Sequence, residues 1–301
     1  EAIDLLEQSL SDRLRVLGPD HPDTLVSRNS LADAYKSAGR LEQPIRLLEQ
    51  NLTDHERILG PDHPRTLISR NNLAESYREA GRLDEAITLH ERNLADRLRI
   101  LGPDHPSIFG SRSNLAGAYY AAGRLDEAID LFEQSLSDRL RVLGPDHPDT
   151  LTARNNLAFA YRDAGRLDEA IDLYERVLAD CRRIMSPDHP SIFLFRNNLA
   201  DAYLRTGGLD RAIDLYEQNL ADRERVLGPD HPDTLTSRNN LATAYWSAGR
   251  PGDAILLFEQ TLAEALRALG PDHSDTRLFR KNLADAYRAV GRDEDAEALL
   301  D

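Results

Sequence analysis

A string close to LGPDHPDT returns every 42 residues along this chain of 301 residues. A second string, AGR or a near variant, keeps the same period from residues 38–40 to residues 290–292. Self-similarity at a fixed period of about 20–50 residues is typical of repeat proteins, in which each unit packs mainly on its neighbours. We therefore predict one repeat domain over residues 1–301. Its joints fall at Gly18, Gly60, Gly102, Gly144, Ser186, Gly228 and Gly270.

Composition limits what this repeat can build. No apolar run approaches the roughly 18 residues of a membrane span, and no signal peptide is visible. A net charge of −15 disfavours nucleic acid as a partner, because affinity for it depends on neutralising phosphates. The single cysteine, Cys181, cannot form a disulfide within the chain, so we expect an intracellular, cytoplasmic protein.

The chain begins in the middle of a repeat. Its first five residues, EAIDL, match residues 127–131, and its last residues stop partway through the same element. We therefore expect it to be a fragment of a longer protein.

One repeat is predicted to form two helices. Apolar residues recur at helical spacing from Pro106 to Ala122, and we predict that Asp104 caps this helix. After a short turn, a second helix is predicted from Asp126 to Leu143. Short connections between such helices favour stacked hairpins, about fifteen helices in all and no strand. The predicted core residues are Leu115, Tyr119, Leu125, Ile129, Phe132, Leu136, Val142 and Leu143.

Each joint carries a histidine, which raises the possibility of a metal site. Equivalent positions in neighbouring helix layers lie at least roughly 8–10 Å apart, whereas zinc ligands approach one centre to about 2 Å. We therefore predict a structural role for the joint histidines, with no metal and no other cofactor. Cys181 would be reactive only if Arg182 and Arg183 lowered its pKa, and no motif supplies a catalytic partner. The histidines are His21, His63, His105, His147, His189, His231 and His273.

The consensus NNLAxAYxxAGRLDEAIxLYExxL resembles the tetratricopeptide repeat, and the resemblance covers the whole chain. The period and the LGPDHP joint look most like the subtype found in kinesin light chains and in bacterial multidomain signalling NTPases. The resemblance implies an all-α solenoid of about seven stacked antiparallel hairpins in a right-handed superhelix, with a concave groove lined by first helices. Arginine replaces the large apolar residue expected before NNLA, and Ser186, Gly208 and Pro251 alter three connections, so we expect local bends there.

The first-helix face opposite the core supplies candidate binding residues. In each repeat a stripe at i, i+4 and i+7 starts with asparagine in five of seven copies and then diverges. This divergence favours a ligand surface over the alternative, drift of an exposed face. Phe159 and Trp246 are candidate hot spots, unless they fold back to fill gaps between helices. The predicted partner-binding residues are Asn71, Arg78, Tyr120, Asn155, Phe159, Arg162, Asn197, Asn239 and Trp246.

A second asparagine follows the first in six repeats, from Asn72 to Asn282. The favoured interpretation is an amide bridge between adjacent helices. The alternative is an amide ladder that holds the main chain of an extended peptide, since asparagine offers both donors and an acceptor. The basic residues with which co-chaperone repeats clamp a terminal carboxylate are not reproduced as a set, so no chaperone partner is predicted.

These features predict a binding scaffold. The leading hypothesis is a partner-sensing or peptide-binding domain of a larger bacterial regulatory protein, binding a protein or peptide through the groove. The alternative is self-association, with solenoid ends stacking head to tail. No nucleophile elbow, phosphate loop, HExxH or paired CxxC occurs, so we predict that the chain is not an enzyme.

Overall fold

The computed structural model describes residues 2–299, and all regular structure in this range is helical. The all-α prediction with fifteen helices is confirmed over these residues. The helices are α1 (Ala2–Leu17), α2 (Pro22–Ser37), α3 (Glu42–Leu59), α4 (Pro64–Glu79), α5 (Leu83–Leu101), α6 (Pro106–Ala121), α7 (Leu125–Val142), α8 (Pro148–Asp163), α9 (Leu167–Ile184), α10 (Pro190–Arg205), α11 (Leu209–Leu227), α12 (Pro232–Ser247), α13 (Pro251–Ala268), α14 (Ser274–Ala289) and α15 (Asp293–Ala298).

The chain divides into two compact units, Glu1–Ala153 and Arg154–Asp301. Within each unit, consecutive helices pack as hairpins, such as α4 with α5 in the first unit and α10 with α11 in the second. We number the hairpins by their first helices, so that α2–α3 is the first and α14–α15 the seventh. The single solenoid over residues 1–301 stays a prediction.

The AGR string forms the turn inside each hairpin. In the second hairpin, Gly81 has a φ of 76°, a left-handed conformation that glycine adopts without steric cost. The Arg82 N–H then donates to the Tyr77 carbonyl at 2.8 Å, which closes the helix end. The Arg82 guanidinium lies over the Tyr77 ring at 4.3 Å and pairs with Glu85. In the second, third, fourth, sixth and seventh hairpins, the turn is thus a glycine stop followed by a stacked, paired arginine.

Histidine caps the first helix at each joint. In the third hairpin, Nδ1 of His105 accepts the backbone N–H of Ser107 at 3.2 Å. The structural role predicted for the joint histidines is therefore confirmed. The cap predicted at Asp104 is wrong, because the Asp104 carboxylate accepts instead from Arg141 at the end of α7. The same histidine bond occurs at His21, His63, His147, His189, His231 and His273.

Of the three altered connections, only the one at Ser186 changes the backbone. There α9 ends at Ile184 and Met185 is extended, with φ −114° and ψ 158°, because the positive φ of the glycine joints is costly for serine. Gly208 keeps a turn geometry close to that of Arg124. Pro251 occupies the start of α13, where a missing N–H costs no helix bond.

The core follows the predicted pattern except at the end of the second helix. Leu115, Tyr119 and Phe132 are buried, as predicted. Val142 is 41% exposed, so its predicted place in the core is wrong. Equivalent residues in the last turn, Ile58 and Ile100, are also exposed, which shows that this turn extends past the buried stripe in other hairpins too.

The arginines before NNLA form a buried row. Six of the seven pair with a carboxylate 26 residues later on the second helix of their own hairpin. The aliphatic stem of the arginine fills space, and the carboxylate satisfies its charge. This explains how the chain tolerates arginine where the family has a large apolar residue. The pairs are Arg28–Asp54, Arg70–Asp96, Arg112–Asp138, Arg154–Asp180, Arg196–Asp222 and Arg238–Glu264.

Candidate partner-binding face

The predicted binding residues share one face of the first helices within each unit, which we call the asparagine face. Eight of the nine are half-buried, and Asn239 is buried, with 6% of its surface exposed. Asn239 is therefore less accessible than the prediction requires of a direct contact. The face comprises Asn71, Glu75, Arg78, Ser113, Gly117 and Tyr120 in the first unit, and Asn155, Phe159, Arg162, Asn197, Asp201, Leu204, Asn239, Thr243 and Trp246 in the second.

Asparagine side chains bridge successive first helices. The Asn198 amide nitrogen donates to the Asn155 amide oxygen at 2.9 Å, and Asn240 donates to Asn197 at 3.0 Å. The same bond joins Asn114 to Asn71 and Asn282 to Asn239. The favoured interpretation of the second asparagine, an amide bridge, is thus confirmed at these four places. Each bridge uses one donor and one acceptor, which leaves further amide groups on the face.

Arg162 connects the fourth and fifth hairpins within the second unit. Its guanidinium stacks on the Phe159 ring at 4.0 Å and pairs with Asp163 at 2.8 Å and Asp201 at 3.0 Å. Burial opposes the charge, but the hydrogen bond with Asp163 and the nearby charges of Asp163 and Asp201 act together against it, and the pKa of Arg162 is raised. Phe159 therefore lies under a fixed cation, and part of its ring surface is already covered.

A polar cavity of about 280 Å³ opens beside Arg162. Tyr216, from the second helix behind it, is only 3% exposed, and its hydroxyl has no hydrogen-bond partner among residues 2–299. Burial raises the pKa of Tyr216, so the hydroxyl stays protonated and available as a donor. The cavity is lined by Arg162, Asn197, Asn198, Asp201, Leu204, Tyr216, Asn240 and Thr243.

A second, more apolar cavity of about 230 Å³ adjoins it, and Thr243 lines both. Trp246 forms one wall and also packs against the buried cluster around Phe258. The gap-filling alternative for Trp246 is therefore partly right, yet the indole still faces an open cavity. The remaining lining residues are Phe258, Asn282, Asp285, Ala286 and Ala289.

In the first unit the asparagine face carries a charged group that the sequence analysis missed. The Glu75 carboxylate pairs with Arg78 at 2.8 Å and lies 3.1 Å from Nε2 of His90, which is 1% exposed. Burial opposes the Glu75 charge, but hydrogen bonds from His90 and Arg78 prevail and lower the pKa of Glu75. His90 stands where the next hairpin has Phe132, and this exchange at a core position was the available signal.

Other reactive groups lie away from this face. Cys181 is buried, and burial raises the pKa of its thiol to about 11. The condition for a reactive thiol is not met, because the charges that act on it are Asp180 and Arg154 rather than Arg182 and Arg183. Among residues 2–299, no group of three or more His, Cys, Asp or Glu side chains is arranged to hold a metal ion. In the same range, no helix is both long and apolar enough to cross a bilayer.

Solved structures with the same fold include repeat proteins from several organisms. TPR-like repeats of a kinesin light chain-like protein from Podosopora anserina share 34% identity, cover 67% of this chain and 96% of theirs, and superpose with a TM-score of 0.64. BtubC from P. vanneervenii shares 23% identity over 77% of this chain and 93% of its own, with a TM-score of 0.65. A STAND protein with a tetratricopeptide repeat sensor from Pyrococcus horikoshii shares 15% identity over 92% of this chain and 41% of its own, with a TM-score of 0.68. A search of curated proteins found no match.

Family models agree with these structures. A model described as tetratricopeptide repeat matches residues 1–50, 38–95, 68–137, 107–183 and 191–265, and a second model of the same description matches residues 239–301. Together the matches reach from the first hairpin to the seventh and confirm the resemblance that the sequence indicated. The chain belongs to the tetratricopeptide repeat family.

Proposed function

We propose that this tetratricopeptide-repeat scaffold binds a protein partner as an extended segment along the asparagine face of residues 154–299. Repeats of this family are non-catalytic scaffolds that generally serve protein interaction. The observation that carries the proposal is the pair of adjoining cavities, one polar and one walled by Trp246, which share Thr243.

The chemistry of the two cavities suits a main chain with one apolar side chain. Around the polar cavity, the amide nitrogen of Asn197 and the amide oxygen of Asn240 are not used in their mutual bridge, so they can pair with peptide carbonyl and N–H groups. The hydroxyl of Tyr216, a residue only 3% exposed, adds a donor that has no hydrogen-bond partner among residues 2–299. In the neighbouring cavity, Trp246 and Ala286 offer apolar surface for a side chain. Tryptophan is enriched among interface hot spots.

The context we propose is a sensing domain of a larger regulatory protein in the cytoplasm. The support is the similar fold of the repeat sensor in the Pyrococcus horikoshii STAND protein, of whose length this chain covers 41%. At 15% identity that likeness concerns the fold, so the regulatory role belongs to the proposal.

A peptide selection tests the proposal. Peptides selected from a random display library on the purified chain should change the emission of Trp246, the only tryptophan. Calorimetry should then show that Phe159→Ala and Trp246→Ala each weaken binding about thirtyfold, which corresponds to ~2 kcal/mol. Arg176→Ala is the matched control, because Arg176 is exposed on α9 and pairs only with Asp172 of its own helix. Normal binding by both aromatic variants would refute the assignment.

Self-association is the second candidate. Arg280, the seventh arginine of the buried row, has no ion pair among residues 2–299. Asp12 of α1 stands at the position of the acidic partners and pairs only with the exposed Arg15. End-to-end stacking would bring Asp12 of one copy to Arg280 of another. Light scattering should then show a mass that rises with concentration and falls in Arg280→Ala; a constant monomer mass would exclude this candidate.

A further inference from the structure

A cavity of about 450 Å³ lies on the other side of the fifth hairpin, between its second helix α11 and the preceding second helix α9. Its floor is apolar and includes the buried Leu178 and Leu199. Its rim is charged, with Arg182, Arg211, Glu175 and Asp214. None of these residues belongs to the asparagine face.

Three departures from the repeat consensus lie at this cavity or beside it: two line it, and the third is next to Tyr203, which also lines it. Position 208 is glycine, whereas the six equivalent positions in other repeats are arginine. Position 211 is arginine, whereas its equivalents are acidic or glutamine. Position 182 is arginine, whereas its equivalents are leucine or glutamate. Two of the changes add positive charge, and the third removes a side chain that covers the site in other hairpins. Independent drift has no reason to place all three around one cavity.

The structure shows what the exchange does. In the third hairpin, Arg124 stacks on Tyr119 at 4.3 Å and pairs with Glu127. In the fifth hairpin Gly208 leaves that space open. Arg211 reaches over Tyr203 at 5.3 Å instead and donates to its hydroxyl at 3.1 Å. The arginine that pairs with a glutamate in the third hairpin is therefore replaced in the fifth by Arg211. Among residues 2–299, Arg211 donates only to the neutral hydroxyl of Tyr203.

Arg182 is the second cation at the rim that has no ion pair. Its guanidinium has no hydrogen bond or ion pair among residues 2–299. Burial lowers the pKa of Arg182, the nearby Arg196 adds to this effect, and the charge of Asp222 opposes it. Of the two acids at the rim, Glu175 already accepts from the Tyr203 hydroxyl. Neither guanidinium at the rim is paired with a carboxylate among residues 2–299, so both have N–H groups for an anionic ligand.

The corresponding cavity of the second hairpin provides an internal comparison. It measures about 330 Å³ and is lined by Tyr77, Asp84, Glu85, Thr88 and Leu89. Glu85 there holds Arg82 in place over the tyrosine. The fifth-hairpin cavity is larger and carries arginine at the position of Glu85, so the same fold builds a site with only acidic charges in one repeat and a site with two arginines at its rim in the other.

We propose that the cavity between α9 and α11 binds a small carboxylate with an apolar body. Arginine binds carboxylates through two parallel hydrogen bonds, and Leu178, Leu199 and Leu215 provide an apolar floor for the rest of the molecule. Asp214 and Glu175 at the rim disfavour ions with more than one negative charge, such as phosphates. A free acid and the last residue of a peptide chain share this chemistry.

The test uses matched probes. Hexanoate represents a free acid and N-acetyl-leucine a chain end; hexanamide and N-acetyl-leucine amide are their neutral counterparts. We expect at least one acid, at millimolar concentration, to shift backbone amide resonances of α9, α10 and α11 while the Trp246 emission stays constant. Each neutral counterpart should bind at least about tenfold more weakly, since it lacks the charge that pairs with guanidinium. Binding of hexanoate alone identifies the ligand as a free acid, and binding of N-acetyl-leucine alone identifies it as the end of a peptide chain.

The control variant restores the repeat consensus. Arg182→Leu with Gly208→Arg and Arg211→Glu introduces only residues that other hairpins carry at these positions, and it should weaken acid binding about tenfold or more. Arg182→Leu alone provides a second variant if the triple variant loses its helical circular dichroism. No shift with either acid, equal binding of acid and amide, or unchanged binding by these variants would overturn the proposal.

Discussion

The guanidinium of Arg70 donates to the Asp96 carboxylate at 2.7 Å while its side chain is completely buried. On its other side the same guanidinium pairs with Glu56 at 3.1 Å. Arg70 on α4 therefore links α3, which precedes it, to α5, which follows it. Removing one partner of a buried ion pair leaves an unpaired charge, which is a larger loss than an exposed pair entails.

Arg70→Ala should lower the free energy of unfolding by about 3 kcal/mol or more, since it removes the buried partner of Asp96 and Glu56, leaves them only the exposed Arg99 and Arg92, and opens a void. The matched control is Arg92→Ala, which removes an exposed arginine 3.5 Å from the same Glu56 and should cost less than about 1 kcal/mol. Urea denaturation followed by circular dichroism measures both. Equal losses would contradict the special role of the buried pair.

His63→Ala should destabilise the protein by about 1 kcal/mol, because α4 loses the side chain that accepts the Arg65 N–H. His63→Asn should retain most of that stability, since asparagine is a strong N-cap. Thermal denaturation of the unchanged protein and of the two variants measures these differences in stability. If alanine and asparagine behaved alike, the histidine would act through something other than its cap.

Acid should weaken the joints. Hydrogen bonds from Arg57, Arg99, Arg141 and Arg225 lower the pKa values of the aspartates at the joints below 3.8, their ordinary value. A carboxyl group with a lowered folded-state pKa stabilises the protein above its unfolded pKa and loses that contribution as the pH falls. The melting temperature should therefore drop as the pH falls through about 4 and below. The four aspartates are Asp20, Asp62, Asp104 and Asp188.

The variant that checks this combines Arg57→Gln, Arg99→Gln, Arg141→Gln and Arg225→Gln. It should be less stable near neutral pH and should show a shallower fall in melting temperature between about pH 5 and pH 3, because the joint aspartates then titrate near their ordinary pKa. A fall as steep as that of the unchanged protein would place the acid-sensitive groups elsewhere.

Cys181 should be inert in the folded protein. With its pKa raised to about 11 by burial, the thiol remains protonated near neutral pH, and only the thiolate is strongly nucleophilic. A chromogenic disulfide reagent should therefore react slowly with the native chain and should titrate one thiol after denaturation in urea. Rapid reaction of the native protein would contradict the burial of this side chain.

The period made the helices predictable, because the signals for a helix start and stop are local. The second helix of the third hairpin, predicted from Asp126, begins at Leu125. Partners that lie far along the chain were not predictable in the same way. Asp104 is a good cap residue by type, but its carboxylate pairs with Arg141, 37 residues away, and the neighbouring histidine takes the cap.

The candidate site was predictable only as a stripe. Helical spacing places Asn155, Phe159 and Arg162 on one face, and the structure places them on it. The cavities depend on side chains of neighbouring helices, such as Tyr216 behind the polar cavity and Phe258 behind Trp246. The residue pattern of one helix does not show which side chains of the neighbouring helix pack behind it.

The bonds between hairpins of the first unit join residues at fixed separations, such as 28 for Glu91 with Tyr119, 37 for Asp104 with Arg141 and 43 for Asn71 with Asn114. Excision of residues 64–105, one full period, would bring Glu49, Asp62 and Asn29 to these same partners. Each broken bond would thus be replaced by one of identical type. Recombination in steps of one period can therefore lengthen or shorten such a chain while each of these bonds between neighbouring hairpins keeps a matching partner. A shift of a few residues would disrupt all three kinds of bond together.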